Sequence, residues 1–228
     1  MNKYGKAALA ALLSLAVSGQ AMAAFVLNGT RYIFEEGKKN ISFEVKNESD
    51  RNYGGQVWID NVRADDNTVH LVPAPPFFRV DAKGKQIVRI MKMDGSLPAD
   101  RESLFWLNVQ EVPPKPKADG GNVIALAMNT RVKVFYRPKA IADGRKDAEK
   151  QLKVEQRDGM SWLKNPTPYY MAVTKVTAGG KVLTPDTKTV EGLTNLAPFS
   201  SAPLGKTVSG PVTVTAINDW GGEETYTL

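Results

Sequence analysis

The run Asn122–Pro138 constrains the fold more than any other stretch of the chain. Ile124, Leu126, Met128, Thr130, Val132 and Val134 occupy alternate positions and are nearly all apolar. The intervening set begins small, with Ala125 and Ala127, and turns polar at Asn129, Arg131 and Lys133. A period of two over this length is the pattern of a β-strand with one greasy face. At about 3.3 Å per residue such a strand spans roughly 50 Å, well beyond ordinary strand length. A strand that long is expected to do more than complete a sheet.

The rest of the chain is written in the same alphabet. Thr30–Phe34, Asn40–Val45, Gln56–Ile59 and Gln86–Ile90 are short β-rich runs closed by Gly-, Asn- or Asp-containing turns. Ser103–Val109 is apolar on both sides and therefore predicted to be central. Pro73-Ala74-Pro75-Pro76 is incompatible with a central strand and is a candidate for a cis bond. Only Pro98–Arg101 hints at a helical turn. Strands without intervening helices predict an all-β antiparallel sandwich. Lys139–Lys150 is polar and short of apolar residues, which reads as a linker. A second set of short strands follows it: Leu152–Val154, Tyr170–Val173, Lys181–Leu183 and Val212–Ile217. The expected division is a leader over 1–23, a first domain over 24–140, a linker over 141–150 and a second domain over 151–228.

The leader is legible by itself. Met1–Lys6 carries two lysines and no acid, Ala7–Val17 is an apolar run, and Ala21-Met22-Ala23 has the small residues a signal peptidase reads. The run is too short to span a bilayer, so export with cleavage before Ala24 is predicted, and nothing later approaches a spanning length. Losing Lys3 and Lys6 lowers the formal net charge from +6 to +4. These basic residues are dispersed, whereas nucleic-acid binding needs a concentrated stripe. The chain has no cysteine, so an exported fold of this composition must hold by packing rather than disulfides.

Signs of catalysis are missing from the text. The single histidine, His70, cannot build a zinc site without cysteines or a carboxylate cluster and is expected to be structural. No nucleophile elbow, zinc-protease helix or phosphate-cradling glycine loop occurs. The expectation is a non-enzyme without nucleotide, metal or other cofactor. What stands out is a set of charges embedded in strand patterns: Arg31, Glu102, Lys133, Arg137 and Asp219. Charges in such settings must pair or neutralise.

Six segments together carry a family resemblance: Thr30-Arg31, Pro75-Pro76, Asp100–Phe105, Val132–Pro138, Asn165–Tyr170 and Ile217–Gly222. In that order they resemble the periplasmic chaperones of the chaperone–usher pilus pathway, typified by PapD, and the short loop before the long strand matches the short-loop branch. The resemblance implies two immunoglobulin-like β-sandwich domains set as an L around an interdomain cleft. It implies a periplasmic protein that binds, folds and caps pilus subunits by lending its long strand to their open groove, then delivers them to an outer-membrane usher. Arg31 and Lys133 would anchor the subunit's C-terminal carboxylate, while Ile124, Leu126 and Met128 would fill its groove. Glu102, Arg137 and Asp219 would fix the angle between the domains. Simple alternation puts Lys133 on the opposite face from Met128, which leaves a bulge or strand twist to be looked for.

Two other readings compete. A secreted structural pilus subunit or adhesin would also be an exported β-sandwich, but of about half this length, often with a disulfide and an alternating N-terminal arm. A carbohydrate-active sandwich would need clustered carboxylates or a groove of exposed aromatics.

Overall fold

The computed structural model describes residues 23–62, 66–93, 95–115 and 126–228. The leader therefore lies outside the described residues, apart from its last residue, as does Ile124. The first half of the chain builds nine strands. They are β1 (Phe25–Leu27), β2 (Arg31–Glu35), β3 (Asn40–Asn47), β4 (Tyr53–Asn61), β5 (Leu71–Ala74), β6 (Phe77–Val80), β7 (Lys85–Lys92), β8 (Ser103–Val112) and β9 (Asn129–Arg137). They form two sheets, ordered β1-β3-β7-β5 and β2-β9-β8-β4-β6. The chain changes sheets at Asn28–Thr30. The inward positions of both sheets supply one core that includes Phe34, Phe43, Val45, Val88, Ile90, Leu107, Val109 and Val134. As expected from its two-sided apolar character, β8 is central. Pro73 sits in β5, an edge strand where its missing N–H costs no ladder bond, and the Ala74–Pro75 peptide is cis.

The second half has its own core, with Leu163, Met171, Leu196, Leu204 and Val214 at its centre. Its strands are β10 (Lys153–Arg157), β11 (Met160–Lys164), β12 (Val173–Ala178), β13 (Lys181–Val182), β14 (Ser201–Pro203), β15 (Val212–Ile217) and β16 (Glu223–Thr227). They pair as β10-β11-β14 and β13-β12-β15-β16. Two sandwiches with separate cores make the protein all-β with two immunoglobulin-like domains.

Four sequence expectations change. The alternating run is not a strand throughout: β9 begins at Asn129, and residues 126–128 have no regular structure. The opposing strand supplies the reason. Met128 still accepts from the Glu111 amide at 2.9 Å, but β8 ends at Val112, and Pro113 and Pro114 have no N–H to continue the ladder. No bulge interrupts the β8–β9 register from Ser103↔Tyr136 to Gln110↔Asn129. Pro98–Arg101 forms bends rather than a helical turn. Among the described residues the α-helix lies elsewhere: α1 (Thr187–Thr194) buries Leu193 and is capped by Asp186, whose side chain accepts from the Thr189 amide at 2.8 Å. Finally, the segment read as a linker is packed. It forms two 3-10 turns, Lys139–Gly144 and Ala148–Gln151, and buries Arg145, Ala148 and Glu149.

Candidate functional site

Strand β2 pairs with β9 in parallel, and this register places Arg31 directly opposite Lys133. Adjacent strands lie about 4.8 Å apart and paired residues share a face. The face is the one turned away from the first core. On β9, Val134 and Tyr136 point inward, while Lys133, Phe135 and Arg137 point outward toward the second domain. Alternation is uninterrupted along β9, so Lys133 stands on the outward face without a bulge, whereas Leu126 and Met128 precede the strand and are exposed.

Like charges directly opposite each other on neighbouring strands are destabilising, and here neither cation hydrogen-bonds a carboxylate among the described residues: Asp219, the nearest acidic influence on Arg31, acts on it only through space. The Arg31 Nη1 donates to the Ile217 carbonyl at 2.9 Å, while its buried Nε has no partner among the described residues. Lys133 Nζ donates to the Thr194 carbonyl at the end of α1, where the helix dipole is negative. Aromatic faces provide the remaining support. Lys133 Nζ stands 5.7 Å and the Arg131 guanidinium 4.6 Å from the Trp106 ring centre, and Arg31 lies 6.0 Å from Phe135. Burial and the Arg31 charge pull the Lys133 ammonium down to about 8. Burial also lowers Arg31, against the pull of the nearby Asp219 charge and with a smaller push from Arg145. This is a cleft holding two desolvated cations whose hydrogen-bond acceptors are neutral carbonyls, an arrangement with room for an anion's charge.

Deeper in the junction lies a second charge group, and it is fully paired. Arg137 donates to Glu102 Oε1 at 2.7 Å and forks onto both Asp219 oxygens at 2.7 and 3.1 Å. Glu102 Oε2 also accepts from the Tyr170 amide at 2.8 Å. Burial opposes the Arg137 charge, but the Asp219 hydrogen bond and the Glu102 charge prevail and hold it above its ordinary range. Sequence reasoning brought Glu102, Arg137 and Asp219 together but missed Arg145 and Glu149. Arg145 forks onto Glu149 at 2.7 and 2.9 Å and approaches Asp219 at 3.4 Å. Their spacing of four inside a segment read as solvated was the available signal. The roles of Trp106 and of the Thr194 and Ile217 carbonyls had none, since backbone acceptors are invisible in a sequence.

The apolar candidates lie beside the cleft. Strand β2 pairs with β9 only from Lys133 onward. The β2-side edge of Asn129–Val132 therefore has no strand partner among the described residues. Just before it, Leu126 is 71% and Met128 45% exposed. Ile124 lies outside the described residues. His70 is buried against Phe105, with Nε2 3.0 Å from Asp66 Oδ2, and no three potential metal ligands cluster among the described residues.

Comparison with known proteins places this geometry in a family. Residues 24–142 match the N-terminal domain and 147–228 the C-terminal domain of the PapD pili assembly chaperones. The chain belongs to this family of pilus-assembly chaperones. It is 47% identical over 232 residues to the Escherichia coli chaperone protein FanE, spanning 100% of this chain and 98% of that one. It is 36% identical over 230 residues to the Escherichia coli chaperone protein FaeE, covering 100% and 87%. Among solved structures it resembles the Salmonella enterica SafB chaperone in complex with the SafA pilin. There the TM-score is 0.77 and the identity 27%, over 91% of this chain and 96% of that one. Chaperones of this class are periplasmic, and no helix among the described residues is long and apolar enough to cross a membrane.

Proposed function

We propose that the protein binds a pilus subunit by its C-terminal carboxylate at Arg31 and Lys133 and lends the β9 edge to the subunit's incomplete sandwich. One observation carries the reading: the two cations are held side by side by the β2–β9 register with no acidic partner among the described residues. An incoming carboxylate would exchange carbonyl and aromatic neighbours for charge-assisted hydrogen bonds, roughly twice as strong as neutral ones. The free edge of Asn129–Val132 would supply main-chain pairing in the lane that β2 leaves open. Leu126, Met128 and Ile124 would enter the subunit's groove, each contributing about 1.5–3 kcal/mol before ordering costs. The Glu102–Arg137–Asp219 cluster, extended by Arg145 and Glu149, would hold the domains at the angle that brings both halves of the site together.

In this reading the chain is exported, its leader is removed before Ala24, and it hands its cargo to an outer-membrane usher. The burial of Ala24 in the first core, with the Phe25 amide donating to Glu111 at 2.8 Å, fits a mature chain that starts there. The decisive experiment is co-purification of a pilus subunit with Arg31→Ala and Lys133→Ala chaperone. Both variants are expected to fold and to lose the subunit; capture at wild-type yield would overturn the anchor.

A further inference from the structure

Trp220 is 94% exposed, more than any other large apolar side chain among the described residues. A lone exposed hydrophobe is ordinary; this one stands on a turn that is pinned from every side. The Asn218 side chain accepts from the Trp220 and Gly222 amides at 3.0 and 2.9 Å and donates to Glu224 at 2.8 Å. Its backbone closes the turn with Gly222 and Gly221. On one flank Asp219 is held by Arg137, and just upstream the Ile217 carbonyl receives Arg31. On the other, Gly221 has φ +84°, and a Cβ there would meet Thr30 Oγ1 at 2.6 Å, so only glycine lets the turn sit against that residue.

Thr30 is the position that gives the turn its meaning. It directly precedes β2, which begins at Arg31 opposite Lys133. A guest strand continuing along β9 in the vacated lane would start beside Thr30, with its carboxylate on the two cations. The close approach of Gly221 to Thr30 brings the Trp220 turn to that end of the lane. Trp is among the residues most enriched at binding hot spots, and a backbone ordered in advance reduces the entropy lost on binding.

We infer that Trp220 is a specificity-determining contact that covers the last apolar side chain of the guest strand, immediately before its carboxylate. The inference rests on the carboxylate anchor proposed above and adds a preference for an apolar terminus.

The test uses the full mature chaperone and ten-residue peptides of alternating Val and Thr, ending in Phe or in Ser, with a free carboxylate or an amide. Wild type is expected to bind the Phe-ended acid about tenfold more tightly than the Ser-ended acid. The same peptide should also shield tryptophan fluorescence from iodide. Trp220→Ser should abolish the preference and reduce the shielding to what Trp106, beside Lys133, supplies, while retaining carboxylate dependence and thermal stability. Arg31→Ala should lose both acids. A Trp220→Ser protein that keeps the wild-type preference overturns the inference and leaves the anchor standing. Equal binding of acid and amide, or no binding of any peptide by wild type, counts against both.

Discussion

Replacing Lys133 by methionine should make the free chaperone more stable at neutral pH while removing its ability to bind a subunit. The ammonium is held at about 8, against an ordinary 10.5, by burial and the Arg31 charge. A lysine lowered on folding binds more protons unfolded than folded between those two values. The wild-type protein therefore gains stability as pH rises from about 8 to 10.5, and below 8 it carries the whole penalty. At 1.36 kcal/mol per unit the full shift corresponds to about 3 kcal/mol. Lys133 is only partly buried, and solvent screening reduces this to about 1–2 kcal/mol. Methionine preserves the contact with Trp106 and gives up one part-buried hydrogen bond, to the Thr194 carbonyl. Urea unfolding of both proteins at pH 7 and pH 10.5 measures the effect. The variant should lead by about 1–2 kcal/mol at pH 7, and most of that lead should vanish at pH 10.5. A variant less stable than wild type at pH 7, or a lead that ignores pH, would refute the claim that an unneutralised cation is stored in the cleft.

Three further outcomes follow from the same geometry. Arg137→Ala strands the buried Glu102 and leaves Asp219 to Arg145 alone, and should cost about 3–5 kcal/mol by urea unfolding; a loss below about 1 kcal/mol would mean the cluster does not hold the domains. Gly221→Ala forces a side chain against Thr30 in a left-handed backbone and should lower stability by about 1–3 kcal/mol along with affinity for a carboxylate-ended peptide, measured by calorimetry. Leu126→Glu, on a 71% exposed position, should leave the melting temperature unchanged yet reduce subunit levels in periplasmic extracts; unchanged levels would argue against strand donation.

Which parts of this site can be seen in a sequence depends on the range of the interaction that builds them. Local patterning exposes β8, β9 and the apolar run beside them, because alternation records which face is buried. Charges within strand patterns pick out Arg31, Glu102, Lys133, Arg137 and Asp219, since burial makes each require a partner. Arg145 and Glu149 were hidden by the polar segment around them, which reads as solvated until a second domain covers it. The α1 helix was hidden as well: its eight residues are too few for periodicity to emerge, and only the Asp186 cap marks its start.

The alternating run ending at Arg137-Pro138 shows the division most plainly. Side-chain periodicity alone determines that it has a greasy face and a charged face, because that property belongs to the strand itself. Where the run stops being a strand depends on its neighbours: β8 runs out at Val112 before two prolines, and β2 pairs only from Lys133. The opposition of Arg31 and Lys133 is likewise a matter of register between segments about a hundred residues apart. No local pattern encodes it, since hydrogen-bond pairing across a sheet is set only when the whole sandwich closes around its core.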